Sequence, residues 1–210
     1  MIMKKLLIII CLFSIPLITV QSQDHGNYDR SSIDKMRDVE LQPEKIMDAI
    51  KLKSGMIVGE GGAGYGYFTF YLSKKVGEKG LVYANDIDSA SLSNLRTGCE
   101  SKNTTNIRTV KGTVDDPLFP VENLDMIVVF DCLFEFSHPA EWMQNARKYL
   151  KTGGKLVIID PDPSRIKSEH FLSRKKINDF ALASGYSITE VDDSFLKSHM
   201  IIILKPVIMN

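Results

Sequence analysis

The chain has 210 residues, 44% of them hydrophobic and 25% charged, with 26 basic residues balancing 26 acidic ones. That length suits a single core, the composition excludes a disordered chain, and the near-zero net charge excludes a surface built to coat nucleic acid. Three cysteines, one inside an apolar N-terminal run, exclude a disulfide framework.

Lys4 and Lys5 precede an apolar run from Leu6 to Val20 that closes on Gln21-Ser22-Gln23, the layout of an export signal. Ser14, Pro16 and Thr19 interrupt the run, which falls short of the roughly 20 apolar residues of a membrane-spanning helix. The first reading is therefore a signal peptide over residues 1–22, cleaved after Ser22, and an exported protein, periplasmic or secreted. A retained anchor at residues 6–20, which alone implies a membrane partner, is the second reading, and a buried helix the third. Cys11 follows Ile10 rather than a small residue, which argues against lipidation. Residues 23–42 are polar, without a sustained apolar period, and read as an arm or lid.

From Pro43 the pattern becomes regular and defines a domain over residues 43–210. Proline at a first helical position, with Ile46, Met47 and Ile50 on one face, opens a helix that Ser54-Gly55 ends. Strands are expected at Met56–Val58, Leu81–Ala84, Ile107–Val110, Met126–Phe130 and Leu156–Ile159. Helices are expected at Phe68–Val76, Ser89–Cys99 and Pro139–Leu150, the last with Gly153-Gly154 as its stop. The unbroken apolar run of the fourth strand points to burial on both faces. Ser173 can cap a further helix that Gly185 ends. Tyr186–Val191 and Met200–Leu204 then form two strands whose link is too short for a crossover helix, so they pair antiparallel. The expected fold is α/β: a doubly wound, Rossmann-like, seven-stranded, mostly parallel sheet with a C-terminal antiparallel strand.

The informative stretch is Val58 to Thr69, VGEGGAGYGYFT, between a buried strand and an amphipathic helix. Its glycines let backbone approach a ligand, and the helix start offers free N–H groups and partial positive charge. Gly59, Gly61 and Gly64 satisfy a dinucleotide spacing, G-x-G-x-x-G; Glu60, Gly62, Gly64 and Gly66 satisfy acid-x-G-x-G-x-G. In both registers Asp86, ending the second strand, is spaced to accept hydrogen bonds from a ribose. The plainer alternative is a tight turn, with Asp86 or Asp88 merely capping the next helix.

With these motifs in order, the run from Pro43 to about Leu204 resembles class I S-adenosylmethionine-dependent methyltransferases, particularly the ubiquinone/menaquinone-biosynthesis type. GEGGAGYGYFT, VYANDID, GTVDDPLFP, LDMIVVFDCLFEF and LKTGGKLVIID carry the resemblance. It implies S-adenosyl-L-methionine as cofactor and a binding set of Glu60, Gly62, Ala63, Gly64, Gly66, Asp86, Ile87, Thr113, Val114 and Asp131. Glu60 would shape the pocket for the ammonium group, Asp86 would hold the ribose, Thr113 and Val114 would border the adenine, and Asp131 would face methionine and acceptor. Thr113 stands where members often carry an acid, for which Asp115 or Asp116 would substitute. Gly59 and Gly61 stand where members carry bulky apolar residues, which predicts a loose strand end.

A sulfonium methyl is already activated, so alignment and water exclusion suffice and no triad is required. If the acceptor must lose a proton, Asp131, Glu135 and His138 are the catalytic candidates, all following the fourth strand at the carboxyl edge of the sheet. His138 precedes Pro139 and can equally cap that helix. Asp160 and Asp162, flanking Pro161 at the end of the fifth strand, read first as solvated loop acids and second as substrate contacts. Tyr71 and Lys75 have a dehydrogenase-like spacing but lie too early in the chain. His170, His199 and the remaining cysteines lack metal-ligand spacing, so no metal is expected. The leading expectation is methyl transfer to a small-molecule acceptor. A nicotinamide-dependent oxidoreductase and a non-catalytic protein with this fold are the alternatives.

Overall fold

The computed structural model describes residues 30–189 and 193–207. The signal or anchor expected in residues 1–22, the first part of the arm, and the end of the strand drawn to Val191 lie outside these. Among the described residues no helix is long and apolar enough to cross a membrane.

In chain order the elements are α1 (Arg30–Leu41), α2 (Pro43–Ala49), β1 (Ile57–Gly61), α3 (Tyr67–Val76), β2 (Leu81–Asp86), α4 (Ser89–Ser101), β3 (Ile107–Lys111), β4 (Leu124–Phe130), α5 (Pro139–Ala146), β5 (Leu150–Pro161), α6 (Pro163–Ile166), α7 (Arg174–Ala183), β6 (Tyr186–Thr189) and β7 (His199–Pro206). The seven strands form one sheet in the order β3-β2-β1-β4-β5-β7-β6. Pairings are parallel from β3 to β5, and β7 runs antiparallel to both of its neighbours. The expected fold class stands.

Side-chain alternation along the central strands separates two cores. Met126, Val128 and Phe130 of β4, with Val157 and Ile159 of β5, pack on one face with Ile46, Phe68, Leu72 and Leu95. Ile127, Val129, Leu156 and Ile158 pack on the other with Trp142, Met143, Ile177 and Ala181. Strands buried on both faces have no polar side to show, which is why β4 reads as an unbroken apolar run. The chain winds outward from β1 to β3 and then returns to β4 on the other side of β1. This reversal opens a crevice at the carboxyl ends of β1 and β4, where ligands sit in such sheets.

Four expectations need correction. Arg30–Leu41, within the expected arm, is a helix, α1. Helix α5 stops at Ala146 and a single 3-10 turn follows, so β5 already begins at Leu150. Gly153 and Gly154 lie inside that strand, where the register jumps from Leu124↔Leu150 to Met126↔Lys155, and Gly153 takes the left-handed conformation such a bulge requires. The end of β1 is tightly filled rather than loose: a Cβ on Gly59 would come within 2.7 Å of the Phe119 ring, and one on Gly61 within 2.6 Å of Trp142. Asp160 and Asp162 are buried, not solvated, and Asp162 caps α6 by accepting a hydrogen bond from Ser164 N–H.

Candidate functional site

At the crevice lies a cavity of about 600 Å³. It is lined by the loop after β1, the ends of β2 and β4, the segment after β3, the 3-10 turn Leu133–Glu135, and Ile33, Asp34 and Arg37 of α1.

The loop resolves the choice between the two glycine spacings. Gly59 and Gly61 are residues of β1, while Gly62, Gly64 and Gly66 all have positive φ, at 73°, 53° and 94°. The turn is therefore made by the glycines of the acid-x-G-x-G-x-G register, each in a conformation that carries a steric penalty for other residues. A Cβ on Gly64 would meet nothing within 4 Å, because that residue faces open cavity. Gly66 occupies the N-cap position of α3 and does not line the cavity.

The acid of that register, Glu60, is only 2% exposed, and its carboxyl accepts a hydrogen bond from Thr69 Oγ1 at 2.5 Å. Burial, reinforced by nearby Asp86, outweighs that bond and pushes the carboxyl up to about 8, so it is largely protonated at neutral pH. Asp86, at the end of β2, accepts hydrogen bonds from Gly64 N–H and Asp88 N–H, both at 2.8 Å, and so ties the loop to the strand end. Of the two acids offered as helix caps, Asp88 fills that role, accepting from Ala90 and Ser91 N–H at the start of α4. Asp86 remains at the cavity wall beside Ile87.

Across the cavity, Thr113 and Val114 line the wall after β3. The suggested substitutes for a missing acid do not reach it. Asp115 accepts a hydrogen bond from Thr113 Oγ1 at 2.6 Å, and Asp116 is engaged by Tyr149 and Lys148; neither borders the cavity.

Asp131, immediately after β4, is held at φ 55°, a strained backbone for a non-glycine residue. Its carboxylate pairs with Arg37 of α1 at 2.8 Å and stands 3.5 Å from His199 Nε2. Glu135 also lines the cavity and is solvent-exposed. His138 is the exception among the three proton-accepting candidates. It is exposed and outside the cavity lining, and it caps α5 through its main-chain carbonyl, which accepts from Trp142 N–H, and not through its ring.

Several residues at the site were not singled out from sequence. Arg37 lies over the Tyr67 ring at 4.1 Å, and the Tyr67 hydroxyl donates to Asp38 at 2.9 Å, so α1 is fastened to the start of α3 as well as to Asp131. Burial and the Asp38 bond push the Tyr67 hydroxyl well up, leaving it a neutral phenol. Phe68 and Phe130 stack at 4.0 Å beneath it. Cys132 covers Gly62, and burial holds its thiol protonated. Asp160 anchors the chain after β4 by accepting from Cys132 N–H and Leu133 N–H, and burial pushes its carboxyl up to about 7. Tyr67 and Phe68 adjoin the glycine loop and Phe130 and Cys132 flank Asp131 in sequence, whereas Arg37, Asp38 and Asp160 are brought in by segments distant from both.

Residues 52–194 match a family described as a methyltransferase domain. The ubiquinone/menaquinone biosynthesis C-methyltransferase UbiE of Vibrio vulnificus (strain YJ016) is 27% identical over 115 residues, covering 54% of this chain and 44% of the relative. The chain thus matches less than half the length of that relative. A solved S-adenosylmethionine-dependent methyltransferase from Aquifex aeolicus superposes with a TM-score of 0.74 and 25% identity, over 84% of this chain and 98% of the other. Fibrillarin of Aeropyrum pernix, solved with natively bound S-adenosyl-L-methionine, shares the fold at a TM-score of 0.55 and 21% identity, over 73% and 68%. The turn built on Gly62, Gly64 and Gly66, the acid at the end of β2, the sheet order and these likenesses agree: the chain belongs to the S-adenosylmethionine-dependent methyltransferase family.

Proposed function

We propose that the protein transfers a methyl group from S-adenosylmethionine to a small-molecule acceptor held under α1. The observation that carries this reading is the cavity of about 600 Å³ in which the glycine loop, Asp86 and Asp131 meet α1. Its volume falls within the ~300–1,000 Å³ of small-ligand pockets. Ile33, Asp34 and Arg37 of α1 border it from above, which narrows the opening and favours a small acceptor.

The residues present fit the cofactor. Gly64 leaves room where a side chain would fill the cradle, and Asp86 offers carboxylate oxygens to ribose hydroxyls at the cavity wall. Ile87, Thr113 and Val114 form a half-apolar wall suited to a purine, and Glu60 supports the floor near the loop. When bound, S-adenosylmethionine supplies an electrophilic methyl on a sulfonium. The chain's own work is to bind, align and exclude water, for which Tyr67, Phe68, Phe130 and Phe136 form the apolar wall. Of the two carboxylates after β4 that line the cavity, Asp131 is engaged by Arg37, which leaves Glu135, at the more exposed side, to accept a proton from an acceptor that must lose one.

Titration of the purified protein with S-adenosylmethionine in a calorimeter should give heat that Asp86→Ala strongly reduces; no heat from the wild type overturns the reading. With methyl-labelled S-adenosylmethionine and a cell extract, label should appear in the low-molecular-weight fraction. Label found only in protein or nucleic acid excludes a small acceptor.

A further inference from the structure

We propose that Arg37 belongs to the cofactor site, where its guanidinium takes the carboxylate of the cofactor's amino-acid end while its present partner Asp131 takes the ammonium. This inference rests on the cofactor reading above and assigns α1, otherwise a roof over the acceptor, a direct part in cofactor binding.

The charge inventory of the cavity points there first. Its lining contains the carboxyl groups of Asp34, Glu60, Asp86, Asp131 and Glu135, and among the described residues Arg37 is its one cationic side chain. A carboxylate entering such a chamber meets repulsion unless it reaches a cation, and burying it unpaired is costly. A free α-amino acid group is a zwitterion, and the Arg37–Asp131 pair, at 2.8 Å, is its charge complement within one ion-pair contact. Exchanging one internal pair for two ligand pairs keeps every charge compensated.

Geometry makes Arg37 suitable for this exchange. Asp131 engages Nη2, and a guanidinium presents five donors in a planar fork that matches a carboxylate. The guanidinium carbon lies 4.1 Å from the centre of the Tyr67 ring, and the Tyr67–Asp38 bond holds that ring to the same helix, so the side chain is already placed at the cavity before binding. Asp131 is itself held at φ 55°, a strained conformation of the kind that collects at ligand sites. The free N–H groups at the start of α3 are the competing carboxylate partner, and the test separates the two.

Two probes differ in the group at issue: S-adenosylhomocysteine carries the amino-acid end, and 5′-methylthioadenosine has the same nucleoside without it. Calorimetry on the full chain should show Arg37→Met weakening S-adenosylhomocysteine binding about tenfold to a hundredfold, with 5′-methylthioadenosine binding changed less than about twofold. Arg37→Lys should recover part of the loss, since it keeps charge but not the fork. Unchanged S-adenosylhomocysteine binding in Arg37→Met, as expected if the α3 N–H groups hold the carboxylate, overturns the inference. Equal loss of both probes also overturns it, because Arg37 would then only hold α1 in place. A wild type that binds neither probe sinks the cofactor reading itself, and this inference with it.

Discussion

The ring of Trp142 occupies the space that a side chain at Gly61 would need. A Cβ there would lie 2.6 Å from the ring, and both residues are buried between β1 and α5. Gly61→Ala is therefore an overpacking substitution and is expected to cost about 1–3 kcal/mol of stability in chemical denaturation. Gly64→Ala separates stability from binding. Its Cβ meets open space, so the cost is the ~1–2 kcal/mol of a left-handed alanine, whereas cofactor binding should fall more steeply because the methyl group enters the cradle.

Asp86 joins the glycine loop to the end of β2 through Gly64 and Asp88 N–H. Replacing it by alanine removes both anchors and the proposed ribose acceptor. S-adenosylhomocysteine affinity is expected to drop about tenfold to a hundredfold in calorimetry. Asp86→Asn, which keeps one acceptor oxygen, should lose less.

Glu60 and Asp160 give stability a defined pH dependence. Burial raises Glu60 from 4.5 to about 8 and Asp160 from 3.8 to about 7. Between these limits the unfolded chain binds fewer protons than the native one, so the contribution is full below pH 4 and is lost as pH rises through 7 to 8. Urea denaturation should show Glu60→Gln gaining stability relative to the wild type between pH 5 and pH 8.5. A difference between the two proteins that does not change with pH would contradict this.

Asp193 holds together the last third of the chain. Its carboxylate pairs with Arg165 at 2.6 Å and Arg174 at 2.7 Å and accepts from Ile201 N–H at 2.8 Å. Burial opposes its charge, but these three donors outweigh burial and hold the carboxyl below its usual range. Asp193→Ala removes the carboxylate partner of Arg174 and the Ile201 amide and one of the two carboxylates that pair with Arg165, which keeps Asp162. A loss of roughly 2–3 kcal/mol is expected in thermal or chemical denaturation, less than for a fully buried pair because the Arg174 side chain is 43% exposed. Cofactor binding should be little changed, since Asp193 does not line the cavity.

What was legible from sequence is what local chemistry dictates. Apolar periodicity marked every strand of the sheet, Ser173 and Gly185 marked the ends of α7, and the spacing from the glycine loop to Asp86 picked out residues that line the same cavity. Those signals lie within a few residues of the element they specify, and the constraint on each, an N–H to cap or a positive φ, is local. The helix α1 escaped because Met36 and Val39 are exposed, Ile33 borders only the cavity, and Leu41 at its end is the one core residue, too little for a continuous inward apolar stripe. Gly59 and Gly61 looked like a weakness because the rings that fill their space, Phe119 and Trp142, arrive from other elements. Asp160 looked solvated until β7 covered it. The pairing of Arg37 with Asp131 joins residues 94 positions apart, a distance over which no periodicity carries information, so only the packing of α1 across the end of the sheet could bring those charges together.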